Sequence, residues 1–127
     1  MSLSLSKPDF FTTFADKNHL TDKQISQLKE YAELIIEWNE KFNLTAKTKI
    51  ESLFRDLFAD SMKIFEVYNL ENVSNIADVG TGAGIPGIVL KIINPSFNVT
   101  LIEVNSKKRL FLEYVIKKLS LENVEII

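Results

Sequence analysis

Along residues 1–72 the apolar positions recur at helical spacing. Phe10, Phe11 and Phe14 make a short stripe, and Pro8 suits the first turn of that segment. Thr21 and Gln24 have the spacing of a capping box. Leu28, Tyr31, Ile35, Trp38 and Phe42 then follow one face of a helix, which Asn43 is expected to end. Thr48 and Glu51 repeat the capping signal. Ile50, Leu53, Phe54, Leu57, Phe58, Met62 and Phe65 continue the helical pattern after it. The polar stretch 69–75 is the best boundary in the chain.

Beyond it the period changes. Asn75 to Val79 reads as a short buried strand. Ile85 to Ile93 is apolar and helical, with Pro86 in its first turn and Pro95 past its end. Val99 to Glu103 predicts a second strand. Ser106 is placed to cap a helix carrying Phe111, Leu112, Val115, Ile116 and Leu119, and Val124 to Ile127 begins a third strand. The order β-α-β-α-β implies a parallel sheet with right-handed crossovers, one half of a doubly wound nucleotide-binding fold. The expected class is therefore α/β: a helical region over 1–72, then a partial Rossmann-like domain over 73–127.

Composition narrows the function classes. At 127 residues, 46% hydrophobic and 25% charged, the chain fits one globular domain or one domain with a helical extension. No apolar run approaches the roughly 20 residues that span a bilayer. Met1 to Lys7 lacks the pattern of a secretory signal, so cytoplasm is the default expectation. Fifteen basic and 17 acidic residues leave a net charge of −2, which argues against a general polyanion-coating protein. With no cysteine and one histidine, His19, no metal site is expected. His19 reads as a surface loop residue.

All four glycines lie between Gly80 and Gly87. Something there needs positive φ or a close backbone approach. A glycine-rich turn from a strand into a helix lets a ligand approach the backbone, with the helix amides able to donate to it. Two registers compete. Gly82, Gly84 and Gly87 fit G-x-G-x-x-G, the dinucleotide fingerprint. Gly80, Gly82 and Gly84, with Asp78 two residues earlier, fit D-x-G-x-G-x-G, which resembles the S-adenosylmethionine loop of Rossmann-like methyltransferases. The second is preferred, because Gly80 directly follows the strand where the tight turn is needed. Asp78 can hold the loop or reach an ammonium group. Glu103, at the tip of the next strand, is placed to accept from ribose hydroxyls, a role that serves either cofactor. Read alone, it is an exposed strand-end carboxylate.

Two segments together resemble one family. Trp38-Asn39-Glu40-Lys41-Phe42-Asn43-Leu44-Thr45-Ala46 is similar to its W-N-x-x-x-N-L-T-A signature, and Asp78 to Gly87 to its D-V-G-T-G-x-G-x-P-G loop. The family is ribosomal RNA small-subunit methyltransferase G, also called glucose-inhibited division protein B. Asp60-Ser61, and Glu103 followed by Lys107, Lys108, Phe111 and Leu112, match further family positions. The resemblance covers about Leu34 to Ile127. It implies an S-adenosylmethionine-dependent methyltransferase acting on N7 of one guanosine in small-subunit (16S) rRNA, with the rRNA or the 30S particle as partner. By match, Gly80, Gly82, Gly84 and Ile85 line the cofactor, Glu103 meets its ribose, and Val104 and Asn105 follow along the adenine. Asp78 and Thr81 complete the candidate set. The family often has histidine three residues before the Asp-Ser, where this chain has Leu57. Family chains also run well past Ile127, so this chain looks like the N-terminal half of such an enzyme and is expected to be inactive alone.

The chemistry implied needs no catalytic base, and none is nominated. Trp38, Phe42 and Leu44 read as core rather than base-stacking groups. Asn43 and Thr45 either close a turn or line the site. Asp60 is placed to cap, to pair with Lys63 or to face the cofactor. Lys47, Lys49 and Arg55 form one basic cluster and Lys107, Lys108 and Arg109 another. Each is a solvated face or an RNA-phosphate contact. Without later strands, one edge of Ile76 to Val79 is left unpaired. Either the chain self-associates there or it is a remnant of a longer protein. Weak cofactor affinity is expected for the same reason. Two other readings stand beside the first: an NAD(P)-binding oxidoreductase, and a non-catalytic interaction module. Pro86 within the alternative fingerprint leans against NAD. The intact Asp78, Gly80, Gly82, Gly84 and Glu103 lean against a decayed site.

Overall fold

The computed structural model describes residues 9–47 and 49–127. Pro8 and Thr48, and with Thr48 the expected second capping box, lie outside the described residues. Helix α1 (Phe10–Lys17) starts at Asp9, whose carboxylate accepts from the Thr12 amide at 2.7 Å. Helix α2 (Asp22–Asn39) opens on the expected capping box, with Thr21 and Gln24 bonding each other's backbone amides. It stops four residues before Asn43. The cause is Asn39, whose Oδ1 accepts from the Leu44 and Thr45 amides at 2.7 and 3.1 Å and whose Nδ2 donates to the Thr45 carbonyl. These side-chain bonds fold the chain back and compete with another helical turn. His19 sits exposed in the α1–α2 turn with φ 56°.

The helical stretch after residue 49 is broken into α3 (Ile50–Ser52), a π-helical segment (Leu53–Phe58), α4 (Ala59–Met62) and α5 (Ile64–Val67). The π segment bonds the Ala59 amide to the Phe54 carbonyl, five residues back. Phe54 and Phe58 are fully buried, and Phe54 meets Phe10, Phe11 and Phe14 of α1 at ring-centroid distances of 5.0–6.0 Å. Leu57 packs against the same core.

Three strands form one parallel sheet in the order β1 (Asn75–Val79), β2 (Asn98–Ile102), β3 (Val124–Ile126). Between them run α6 (Gly87–Ile93) and α7 (Ser106–Lys118). The expected β-α-β-α-β order is present, with small shifts. The second strand ends at Ile102, so Glu103 stands just beyond it. Helix α6 begins at Gly87 rather than Ile85, since a residue before proline is pushed out of the helical region. Helix α7 is capped by Asn105, not Ser106: the Asn105 Oδ1 accepts from the Lys107 and Lys108 amides, both at 3.0 Å.

One apolar core joins the two parts of the chain. It runs from Leu28, Ile35 and Phe58 through Ile88, Val89 and Ile92 of α6 to Val99 and Leu101 of β2 and Phe111 of α7. Strand β1 pairs with β2 on one side only among the described residues, and its Ala77 and Val79 are exposed. No helix of the described residues is long and apolar enough to cross a membrane.

One charged side chain is drawn into this core. Lys91 is only 3% exposed, and its Nζ donates to the Pro95 and Phe97 carbonyls at 2.7 and 2.6 Å. It clamps the turn between α6 and β2 by pairing two of its backbone acceptors. Lys91→Met keeps the apolar stem and leaves those acceptors unpaired. It is expected to lower stability by about 2 kcal/mol in urea unfolding.

Candidate functional site

The glycine loop is laid on the end of β2. The Ile102 carbonyl accepts from the Gly80 and Thr81 amides at 2.8 and 3.1 Å. The next residue, Glu103, extends that template with its side chain: Oε1 accepts from the Gly82 amide at 2.8 Å. Three successive loop amides thus face one short stretch of backbone. The Glu103 Oε2 accepts from the Asn105 amide at 2.9 Å, and the carboxylate is 7% exposed. The structure therefore brings the loop and the strand-end acid into direct contact. The acid is buried and bonded rather than an exposed strand end.

Asp78 closes the far side. Its Oδ2 accepts from the Thr81 hydroxyl and, at 2.9 Å, from the Gly87 amide, the first residue of α6. Of the two roles open to it, holding the loop is the one realised. The first amide of α6 is consequently spent on Asp78, and the Ile88 amide on the Gly84 carbonyl at 2.7 Å. The expectation that the helix amides stand open to a ligand does not hold for these two.

The glycines divide into two kinds. Gly80 and Gly82 have φ of 68° and 60°, and a Cβ added to either would meet nothing within 4 Å. They provide backbone with open space before it. Gly84 and Gly87 are packed shut: a Cβ at Gly84 would lie 2.5 Å from Ile88 Cδ1, and one at Gly87 2.5 Å from Leu101 Cδ2 and 2.9 Å from Asp78 Oδ2. Val104 stands 94% exposed beside Glu103, and the Asn105 side chain is committed to its cap. Ile85 and Thr81 are half-buried and buried respectively.

Sequence reasoning missed Tyr31 and Asn39 as parts of this architecture. The Tyr31 hydroxyl donates to the Ala83 carbonyl at 2.6 Å. Its apolar spacing showed only a core position. Of the two roles left open for Asn43 and Thr45, Thr45 takes part in a turn, bonding Asn39 through its backbone and accepting from the Lys47 amide through Oγ1, while Asn43 is exposed. Asp60 is exposed and pairs loosely with Lys63 at 3.9 Å, while Ser61 is buried and donates to the Leu57 carbonyl. Trp38 and Phe42 are half-buried, with Trp38 5.5 Å from the Phe111 ring. A cavity of about 570 Å³ lies elsewhere, between α1 and α4–α5, and touches none of the loop residues.

The basic clusters are partly committed. Lys47 pairs with Asp56 at 3.1 Å, and Arg109 donates to the Glu103 carbonyl at 3.1 Å. Arg55 lies 5.8 Å from the Phe10 ring and Lys107 5.3 Å from the Phe42 ring. Lys49 is exposed, and Lys108 contributes positive charge beside Glu103.

A parallel sheet with a glycine turn at the tip of one strand and a bonded acid at the tip of the next defines a partial Rossmann-like domain of the methyltransferase kind. Comparison with known proteins narrows the class. The model of the family "rRNA small subunit methyltransferase G" matches residues 24–127. Three relatives bear the name "Ribosomal RNA small subunit methyltransferase G". That from Mycoplasma mycoides is 43% identical over 94% of this chain and 85% of its own length. That from Mycoplasma capricolum is 45% identical over 87% and 48%, and that from Lysinibacillus sphaericus 41% over 85% and 45%. The chain belongs to the rRNA small subunit methyltransferase G family. It spans about half the length of the last two relatives.

The amides of Asn105 and Gly82, and the charge of Lys108, hold the Glu103 carboxyl below its ordinary value of 4.5, against the opposing effect of burial. A carboxyl lowered by folding stabilises the fold above its unfolded pKa and loses that contribution as pH falls through the folded value. The Gly82 tether should therefore be intact at neutral and mildly acidic pH and fail only below 4.5. Following the Gly82 amide resonance through an acid titration checks this; a transition near pH 6 would contradict it.

Proposed function

We propose that this chain carries the S-adenosylmethionine-binding half of an enzyme that methylates N7 of a guanosine in small-subunit rRNA. In this reading residues 1–72 are a helical region and 73–127 the cofactor-binding part. Gly80, Gly82, Ile85, Glu103 and Val104 hold the cofactor, and Asp78, Thr81, Gly84 and Asn105 shape the loop and helix end around it.

The observation that carries the reading is how the loop spends its amides. A dinucleotide needs backbone donors for its pyrophosphate. Here the amides of Gly80, Thr81, Gly82, Gly84 and Gly87 all bond within the protein. Two carboxylates, Asp78 and Glu103, flank the loop, a setting that repels phosphate and suits a cation without one. The room before Gly80 and Gly82 is where such a ligand fits. In the dinucleotide register the middle glycine must admit the ligand, and that glycine, Gly84, is filled by Ile88 and Tyr31.

When bound, S-adenosylmethionine supplies a methyl group on a positively charged sulfur. Guanine N7 has a lone pair and no proton, so no general base is required. What the chain contributes is orientation: a loop fixed on β2 and an acid beside it to meet the sugar. Of the two basic clusters only Lys47 carries a salt bridge among the described residues, and Lys49, Arg55 and Lys107 are the exposed members that offer charge to RNA phosphate.

The fragment should bind S-adenosylmethionine weakly and NADH not at all in calorimetric titration. Binding of NADH in preference would reverse the assignment. Primer extension on rRNA from a deletion strain of the source gene, after borohydride reduction and aniline cleavage at N7-methylated guanosines, tests the rRNA substrate: the cleavage stop should be lost in the deletion strain.

The open edge of β1 gives a second expectation. Unpaired strand edges recruit partners, so the isolated chain should associate through Ile76 to Val79. Light scattering on a well-folded sample that gives only 14.5 kDa would count against it.

A further inference from the structure

The first half of the glycine loop is held by β2. Its second half is held by α2, from outside the sheet. Tyr31 sits midway along that helix, fully buried. Its ring stacks on Phe58, with centroids 5.4 Å apart and planes 3° from parallel. That stack fixes the ring plane, and the hydroxyl then has a defined reach. It donates to the Ala83 carbonyl at 2.6 Å. The fit is close: a Cβ at Gly84 would stand 2.9 Å from the phenolic oxygen.

Ala83 and Gly84 lie between two tethered points, Gly82 on Glu103 and Gly87 on Asp78. A peptide that flipped there would swing the Gly82 backbone away from its open space. We propose that Tyr31 is a positioning residue for the cofactor loop: by holding the Ala83 carbonyl it sets the placement of Gly82 and Gly84. The helical region is thereby a working part of the cofactor site. Burial, and after it the negative charge of Asp78, keeps the phenol well above its ordinary pKa, so the donor proton is retained throughout the range in which the protein is handled.

The effect on ligand affinity rests on the S-adenosylmethionine reading; the effect on the loop does not. Tyr31→Phe keeps the ring and its stack and removes only the donor. In hydrogen exchange on the whole chain, the amides of residues 82–85, 87 and 88 should exchange about fivefold faster, with those of β2 and α7 unchanged. The dissociation constant for S-adenosylmethionine should rise by about fivefold. Unchanged loop exchange in the folded variant overturns the proposal, whatever the ligand does. Faster loop exchange with no binding by either protein upholds the positioning role and sinks the cofactor reading instead. A wild-type measurement covers a variant that fails to fold. The Tyr31 hydroxyl proton should appear in NMR spectra as a slowly exchanging signal with cross-peaks to Ala83 or Gly84. Rapid exchange of that proton with water overturns the proposal equally.

Discussion

The site depends on the end of β2 acting as a template. A parallel strand normally finishes with carbonyls turned to solvent. Here the Ile102 carbonyl takes two amides of the glycine loop and the Glu103 side chain takes the third. Positive φ at Gly80 and Gly82 is what lets consecutive amides turn to the same side. Without that freedom the turn could not lie on the strand. Without the strand the glycines would be merely flexible. Parallel register then does the rest: Val79 pairs with Ile102, so the chain leaves β1 directly beside the point where the acid emerges.

A loop anchored in this way has a chemical character different from an anion cradle. The amides of Gly80, Thr81, Gly82, Gly84 and Gly87 are spent within the protein, and the open space lies before the backbone of Gly80 and Gly82. Asp78 reinforces this by capping α6 itself, which takes up the first amide that a phosphate would use. The preference for the acid-plus-three-glycine register, drawn from the position of Gly80, thus acquires a separate physical basis. The dinucleotide register asks for open space at Gly84. Ile88 and Tyr31 fill that space.

Much of the architecture was legible because burial writes a period into sequence. The α2 face, β2 and the α7 face were visible in this way, and the confinement of glycine to eight positions marked the loop, whereas Asn75 to Val79, expected to be a buried strand, alternates exposed and half-buried positions. What stayed hidden was side-chain hydrogen bonding, which leaves no period. Ser106 and Asn105 are both good cap residues, and only geometry decides that Asn105 bonds two amides. Asn39 lies within an apolar helical pattern, and nothing in that pattern says that its amide will end the helix. Tyr31 counts as one more apolar position until its hydroxyl is located. The π segment escaped because the dense run of phenylalanine and leucine over 53–58 reads as helical without showing which carbonyl each amide meets.

Charge shows the same limit. Counting Lys47, Lys49 and Arg55, or Lys107, Lys108 and Arg109, treats each cation as equally available. The fold assigns them different work. Arg109 binds the backbone carbonyl of Glu103 while Lys108 adds positive charge near its carboxylate, so the second cluster helps to build the very template on which the loop rests. Lys47 is partly neutralised by Asp56. A cation that holds backbone in place contributes less to a phosphate than one in water, because its donors are already used. The positive charge left free at the surface is therefore less than a count of lysines and arginines suggests.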